Sequence, residues 1–208
     1  MKNLRILEHP LLAVRLTALR DQDLAAPEFA RQAALIGKLL AVESTRHLLT
    51  RVAEVVTPME KMCGVALGKE VCLVPILRAG LAFLGSFREI LPEASIGHLG
   101  IVRNEESLEA EVYLKRLPEN LDQKEVFLLD PMLATGHSCC AALRILREAG
   151  AKKITVVCCV AAPEGVRELE EHYPDVLIIT AALDRELNER GYILPGLGDF
   201  GDRYFGTL

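Results

Sequence analysis

Strand-length apolar runs alternate with helical stretches between Lys69 and Thr180, and several of the runs are apolar at nearly every position rather than at every second one. Residues 71–76, 125–129 and 153–160 are the clearest; residues 95–102 and 175–180 read as further strands. A strand with one wet face alternates polar and apolar side chains. A strand that is apolar throughout is buried on both faces, which is the mark of a parallel sheet covered by helices. Residues 79–90, 139–149 and 164–172 carry helical patterns between the strands, and Gly150 closes the second of them. With right-handed crossovers this predicts a doubly wound α/β sheet of about five parallel strands.

The flanks read differently. Residues 27–49 form an amphipathic helix candidate with Phe29, Ala33, Ile36 and Leu40 at helical spacing, suited to core packing or a subunit interface. Residues 102–117 are polar and long enough to project as a mobile β-arm. After Thr180 the chain is rich in glycine, with Gly191, Gly196, Gly198, Gly201 and Gly206. A length of 208 residues suits one domain. Its expected parts are an N-terminal helical segment (1–68), an α/β core with its arm (69–180), and a small C-terminal hood (181–208).

Half of the residues are hydrophobic. No apolar run approaches the roughly 18 residues that span a bilayer, and no signal-like segment follows Met1. A soluble, cytoplasmic protein with no membrane partner is expected. The net charge of −5 disfavours a nucleic-acid binder held by a broad basic face. The six cysteines form no C-x-x-C pair and are expected to be buried, reduced thiols. The five histidines show no metal-ligand spacing.

Four segments carry candidate chemistry. The first is the stretch from Val126 to Ser138, where an apolar strand ends in Asp130 and runs through Pro131, Met132, Leu133, Ala134, Thr135, Gly136 and His137 into a helix expected from Cys139. The carboxylate suits sugar hydroxyls, and the amides of a helix start suit a phosphate. A strand followed by an ordinary N-capped helix is the bland alternative. The second segment, residues 75–81, places Arg78 and Gly80 in a turn after a strand, where amides and a guanidinium reach one polyanion. The third is Arg103 with Glu105 and Glu106, which by itself reads as a salt-bridged surface hairpin. The fourth runs from Tyr192 to Asp202; its close-set glycines expose backbone groups able to read a planar heterocycle by its edge. The chain contains no G-x-x-x-x-G-K-[ST], no G-x-S-x-G and no H-E-x-x-H.

Together these segments resemble the uracil phosphoribosyltransferase family. Asp130-Pro131-Met132-Leu133-Ala134-Thr135-Gly136-x-Ser138 is similar to the family's phosphoribosyl-diphosphate loop, Pro75-Ile76-Leu77-Arg78-Ala79-Gly80-Leu81 to its pyrophosphate loop, and Arg103-Asn104-Glu105-Glu106 to its flexible arm. Ala161-Ala162-Pro163-Glu164-Gly165, the block Gly191-Tyr192-Ile193-x-Pro195-Gly196-Leu197-Gly198-Asp199, and His9-Pro10-Leu11 fall in the family's order. The resemblance implies transfer of ribose 5-phosphate from 5-phosphoribosyl 1-diphosphate to uracil, giving UMP and diphosphate, with Mg²⁺ entering as the complex of the donor. It implies that Arg78 and Arg103 hold the diphosphate and that Asp130, Pro131, Met132, Leu133, Ala134, Thr135, Gly136, His137 and Ser138 hold the ribose phosphate. Ile193, Gly198, Asp199 and Phe200 would frame uracil, and Asp199 would also lie near the donor. Asp130, Arg103 and Asp199 would carry the chemistry. The arm would close over the site and exclude water. Homo-oligomers, and a GTP effector in some members, also come with the resemblance.

The chain departs from the family pattern at two informative places. His137 stands where the family has glycine, so a strained φ, a crowded phosphate or, from a protonated imidazole, an added contact is expected there. Phe200 stands beside the base where the family usually has alanine, so a pocket of altered size is expected. These departures raise two further readings: a nucleotide- or RNA-sensing protein on the same scaffold, and a transferase acting on another base.

Overall fold

The computed structural model describes residues 1–103 and 110–207. In chain order the strands and α-helices are β1 (Leu4–Ile6), α1 (Pro10–Arg20), α2 (Ala26–Ser44), β2 (Thr50–Val56), β3 (Lys61–Leu67), β4 (Val71–Leu77), α3 (Leu81–Ile90), β5 (Ser95–Ile96), β6 (His98–Arg103) and β7 (Ala110–Arg116). These are followed by β8 (Glu125–Leu129), β9 (Met132–Leu133), α4 (His137–Glu148), β10 (Lys153–Ala161), α5 (Pro163–His172), β11 (Leu177–Leu183), β12 (Glu186–Leu187), β13 (Ile193–Leu194) and α6 (Phe200–Phe205).

The main sheet runs β1-β11-β10-β8-β4-β6-β7. Every neighbouring pair along it is parallel except β6 with β7. The interior strands β11, β10, β8, β4 and β6 are the expected parallel core. The short β1 extends one edge and the antiparallel β7 the other. Burial explains the unbroken apolar runs. Val71 and Leu73 of β4, with Phe127 and Leu129 of β8, face a core filled by Leu12, Phe29, Ile36, Leu40, Phe83 and Phe87 from α1, α2 and α3. Cys72 and Val74, with Val126 and Leu128, face the opposite core under Leu143 and Leu146 of α4 and Leu169 of α5.

The order of the strands decides where a ligand binds. From β4 the chain moves outward through α3 to β6, then returns to the other side of β4 as β8 and continues to β10 and β11. The direction of winding therefore reverses between β4 and β8, the crevice where ligands sit in open α/β sheets. Pro75 pairs with Leu129. Asp130 and the turn holding Arg78 thus leave the sheet side by side at its carboxyl edge.

Some expectations are corrected. The N-terminal part is not wholly helical: Thr50–Val56 and Lys61–Leu67 form a two-stranded antiparallel hairpin, with Thr50 opposite Leu67 and Val56 opposite Lys61. Its β-branched residues favour strands, and Thr57 closes the turn, its Oγ1 accepting the amides of Met59 and Glu60 at 3.1 and 3.0 Å. The second helix ends at Ser44 rather than Leu49, followed by a 3₁₀ turn at Thr45–His47. Its buried residues include Phe29, Ala33, Ile36 and Leu40, so core packing occupies that face. Cys72, Cys139, Cys158 and Cys159 are buried thiols as expected, whereas Cys140 is half-buried and Cys63 is exposed on the hairpin. Among the described residues no helix is long and apolar enough to cross a membrane.

Candidate active site

The loop after β8 is built as an extension of the sheet and then as a helix cap. The Asp130 amide donates to the Val157 carbonyl at 3.1 Å. The Pro131 carbonyl accepts from the Cys159 and Val160 amides at 2.8 and 3.1 Å, and the Leu133 carbonyl accepts from Ala162 at 2.8 Å. These bonds lay β9 along β10 and hold the loop rigidly. Gly136 then turns the chain at φ +87°, a conformation that costs a side-chain-bearing residue about 1 kcal/mol or more, and its carbonyl accepts the Cys140 amide at 2.8 Å. Helix α4 starts without a side-chain cap, so its first amides are left for a ligand, with the positive end of the helix dipole behind them.

Asp130, Met132, Leu133, Ala134, Thr135, Gly136, Ser138 and Cys139 line a small cavity of about 90 Å³ at this helix start. The Asp130 carboxylate is held by the Met132 amide at 3.4 Å and by the Cys139 thiol at 3.5 Å. Loss of water around it outweighs those hydrogen bonds and pushes its pKa up to about 6. The group is therefore ionised at neutral pH yet sparsely solvated, and ready to accept hydrogen bonds from hydroxyl groups.

Beside it lies a wider cavity of about 610 Å³, lined by Arg78, Val102, Met132, Ala134, Arg190, Gly191, Tyr192, Ile193, Gly198, Asp199 and Phe200. Met132 and Ala134 belong to both walls, so the two cavities adjoin. The glycine-rich tail supplies the roof: β12 and β13 pair, with Leu187 opposite Ile193. The Asp184 carboxylate locks this roof to α1, accepting two bonds from the Arg20 guanidinium at 2.6 and 2.8 Å and one from the Gly196 amide at 2.9 Å. Asp199 caps α6, its Oδ1 accepting from the Asp202 amide at 2.9 Å. Arg78 reaches across to Asp202 at 3.2 Å.

Two sequence expectations change here. The helix begins at His137 rather than Cys139, and His137 has no positive φ; Gly136 alone takes the left-handed turn of this loop. The imidazole is exposed, and His137 is absent from the walls of the small cavity. It does not strain the loop, and it stands outside the small cavity. The ring of Phe200 is also elsewhere. Phe200 is 2 % exposed and packs edge-on against Phe29 and Phe83, with centroids 5.1 and 6.1 Å apart. It therefore belongs to the aromatic core under the roof.

Arg78, Asp130–Ser138 except His137, Ile193, Gly198, Asp199 and Phe200 are brought together at the two cavities (for Pro131 through its backbone bonds to β10). Arg103 ends β6 one residue beyond Val102 in the cavity wall; its side chain, with Asn104, Glu105 and Glu106, lies outside the described residues. Arg190 and Asp184 were not anticipated, and Asp202 only as the end of the fourth segment. Arg190 and Tyr192 are presented by a turn in which Asn188 Oδ1 accepts both their amides, at 3.0 and 2.9 Å. An Asn three residues before a Gly-Tyr pair is the one local signal that hinted at this turn.

The family model described as uracil phosphoribosyltransferase matches residues 6–207. A protein of Streptococcus equi subsp. zooepidemicus named uracil phosphoribosyltransferase is 47 % identical over 208 residues, covering 100 % of both chains. The solved structure of an Aquifex aeolicus protein superposes with a TM-score of 0.94 at 40 % identity and covers 98 % of each chain. An adenine phosphoribosyltransferase from Trypanosoma brucei, 13 % identical with a TM-score of 0.61 over 96 % of this chain and 89 % of its own, shares the fold alone. The family model matching almost the whole chain, together with a full-length relative at 47 % identity, places this protein, with its doubly wound sheet opening onto an acid-tipped loop, in the uracil phosphoribosyltransferase family.

Proposed function

We propose that the protein transfers the 5-phosphoribosyl group from 5-phosphoribosyl 1-diphosphate to uracil, releasing diphosphate and forming UMP. The observation that carries this reading is the adjacency of the two cavities. The small one joins a carboxylate to free helix-start amides, and the wide one joins a guanidinium to a roof of exposed backbone. A pentose phosphate and a planar base laid across them bring C1 of the sugar to the seam at Met132 and Ala134.

In the reaction the bond from C1 to the diphosphate oxygen breaks, the bond from C1 to N1 of uracil forms, and the N1 proton is lost. Charge builds on the leaving diphosphate while the sugar becomes cationic. Arg78 and Arg103 are proposed to neutralise the diphosphate, which enters as its magnesium complex; a forked guanidinium matches phosphate oxygens. The amides of residues 134–138 hold the 5-phosphate. Asp130 accepts from the ribose hydroxyls and favours the cationic sugar electrostatically. Asp199, with one oxygen engaged at the start of α6, keeps the other for the donor. Backbone groups at Ile193, Gly198, Asp199 and Phe200 read the edge of uracil. Uracil N1 is weakly acidic, and oriented dipoles assist its loss of a proton. Arg190 and Tyr192 line the same wall and join the proposed set.

The test is release of diphosphate with uracil as acceptor, beside cytosine, adenine, guanine and hypoxanthine, with and without Mg²⁺. UMP formation that requires Mg²⁺ and prefers uracil supports the reading. Equal or greater turnover with a purine sinks the base assignment. Tight binding of UMP without any turnover sinks the enzymatic one.

A further inference from the structure

Outside both cavities, helices α4 and α5 bring together three side chains that the transfer reaction does not employ: Cys140, Glu168 and His172. The thiol sulfur, a carboxylate oxygen and an imidazole nitrogen all lie within 4.8 Å of one another. Glu168 and His172 stand one turn apart on α5 and so share a face, with His172 Nδ1 3.6 Å from Glu168 Oε1. Cys140 completes the group from the first turn of the neighbouring helix. The thiol and carboxylate are half-buried, whereas the imidazole is exposed and leaves a way in.

A Glu–His pair one turn apart is an ordinary surface contact. A sulfur donor arriving from a second helix makes it something else. We propose that Cys140, Glu168 and His172 form a binding site for one zinc-type divalent ion, with three protein ligands and water in the fourth place. Sulfur, imidazole nitrogen and carboxylate oxygen are the donor set of such ions. Magnesium demands an all-oxygen shell, so this site is chemically distinct from the magnesium carried by the donor substrate. On binding, the Cys140 S–H bond breaks, its proton passes to solvent and the sulfur bonds the ion. The imidazole exchanges its 3.0 Å contact with the Glu168 carbonyl for the metal.

The location gives the site a consequence. A Cβ on Gly136 would lie 3.1 Å from both Cβ and Cγ of Glu168, and one on Gly165 would lie 2.3 Å from the Ala134 carbonyl oxygen. The phosphate loop thus leans on α5, while α4 grows directly out of it. An ion held between the two helices clamps the walls of that loop.

Cobalt titration of the full chain, free of substrate, tests this, because a thiolate–Co²⁺ bond gives a charge-transfer band that an oxygen–nitrogen site lacks. One saturable equivalent is expected, displaced by Zn²⁺, retained in Cys63→Ser and lost in Cys140→Ser. His172→Gln is expected to weaken binding about tenfold or more. Zn²⁺ should raise the melting temperature of the parent chain but not of Cys140→Ser, as binding to the folded state alone requires. All these substitutions are at least partly exposed, and metal-free melts matching the parent establish that the variants fold. The absence of the band in the parent, or its survival in Cys140→Ser, overturns the proposal.

Discussion

Arg78 and Asp202, 124 residues apart in the chain, meet at 3.2 Å between Nη2 and Oδ1. The contact joins the turn after β4 to helix α6, and the same Asp202 oxygen accepts the Thr207 hydroxyl at 2.8 Å. The guanidinium also lies 5.8 Å above the ring of Phe205. The C-terminal helix therefore holds the cation that the diphosphate is proposed to use. Arg78→Ala is expected to lower kcat/KM for the donor by about 10²–10³, the size of losing one group aimed at developing charge. Asp202→Asn should cost at most about fivefold, because an exposed ion pair contributes no more than about 1 kcal/mol. A double-mutant cycle checks the relationship: once Arg78 is gone, Asp202→Asn should have no further effect on donor KM. Full additivity contradicts the positioning role.

The pH dependence follows from Asp130. Its folded pKa of about 6 lies above the ordinary 3.8, so between these values the folded state binds more protons than the unfolded one. Stability of the free protein should therefore fall as pH rises across that window, and Asp130→Asn should remove this slope and melt higher near neutral pH. Activity runs the other way. The ionised form is needed, so kcat/KM for the donor should drop below pH about 6, and Asp130→Asn should lose about 10² in turnover. A flat profile down to pH 5 would rule out the ionised carboxylate as the working form.

Gly165 and Ala134 give a purely steric prediction. A Cβ on Gly165 meets a backbone oxygen of the phosphate loop at 2.3 Å, and backbone held by sheet bonds cannot step aside cheaply. Gly165→Ala is expected to destabilise the fold by about 1–3 kcal/mol and to raise the KM for the donor more than that for uracil. Denaturant unfolding with both KM values decides. A neutral stability change together with unchanged donor KM disproves the contact.

His137 and Phe200 invert the expectation drawn from residue identity alone. His137→Gly should leave donor KM within about twofold, since an exposed side chain outside the cavity is lost. Phe200→Ala should leave base preference unchanged but cost about 3–5 kcal/mol by emptying an aromatic core. Donor KM for the first variant, and unfolding plus a base panel run below the melting temperature for the second, check these points. A switch of preferred base in Phe200→Ala would return its ring to the pocket.

Arg20 and Asp184 anchor the roof. Asp184 is nearly buried, and removing its charge leaves the Arg20 guanidinium without its bidentate partner. Asp184→Asn is expected to lose about 3–5 kcal/mol, the cost of breaking such a pair from one side. It should also raise the KM for uracil, because Gly196 loses its hold. Equilibrium unfolding and the KM for uracil measure the two effects.

Much of the architecture is legible along the chain. Unbroken apolar runs such as residues 153–160 declare a strand wet on neither face, and that environment demands helices on both sides. A carboxylate at the end of such a strand, followed by small residues and a helix, is likewise a local arrangement, so the course of the loop after β8 could be read directly. Folding in three dimensions decided the rest. The direction of the Phe200 ring depends on a gap between Phe29 and Phe83, residues more than a hundred positions away. Whether glycine or histidine takes the positive φ in the loop depends on how α4 docks. The Arg20–Asp184 and Arg78–Asp202 pairs join segments 164 and 124 residues apart. Periodicity and turn chemistry report what each residue's immediate neighbours require, whereas contacts between distant segments are set by packing, and packing leaves no period in the sequence.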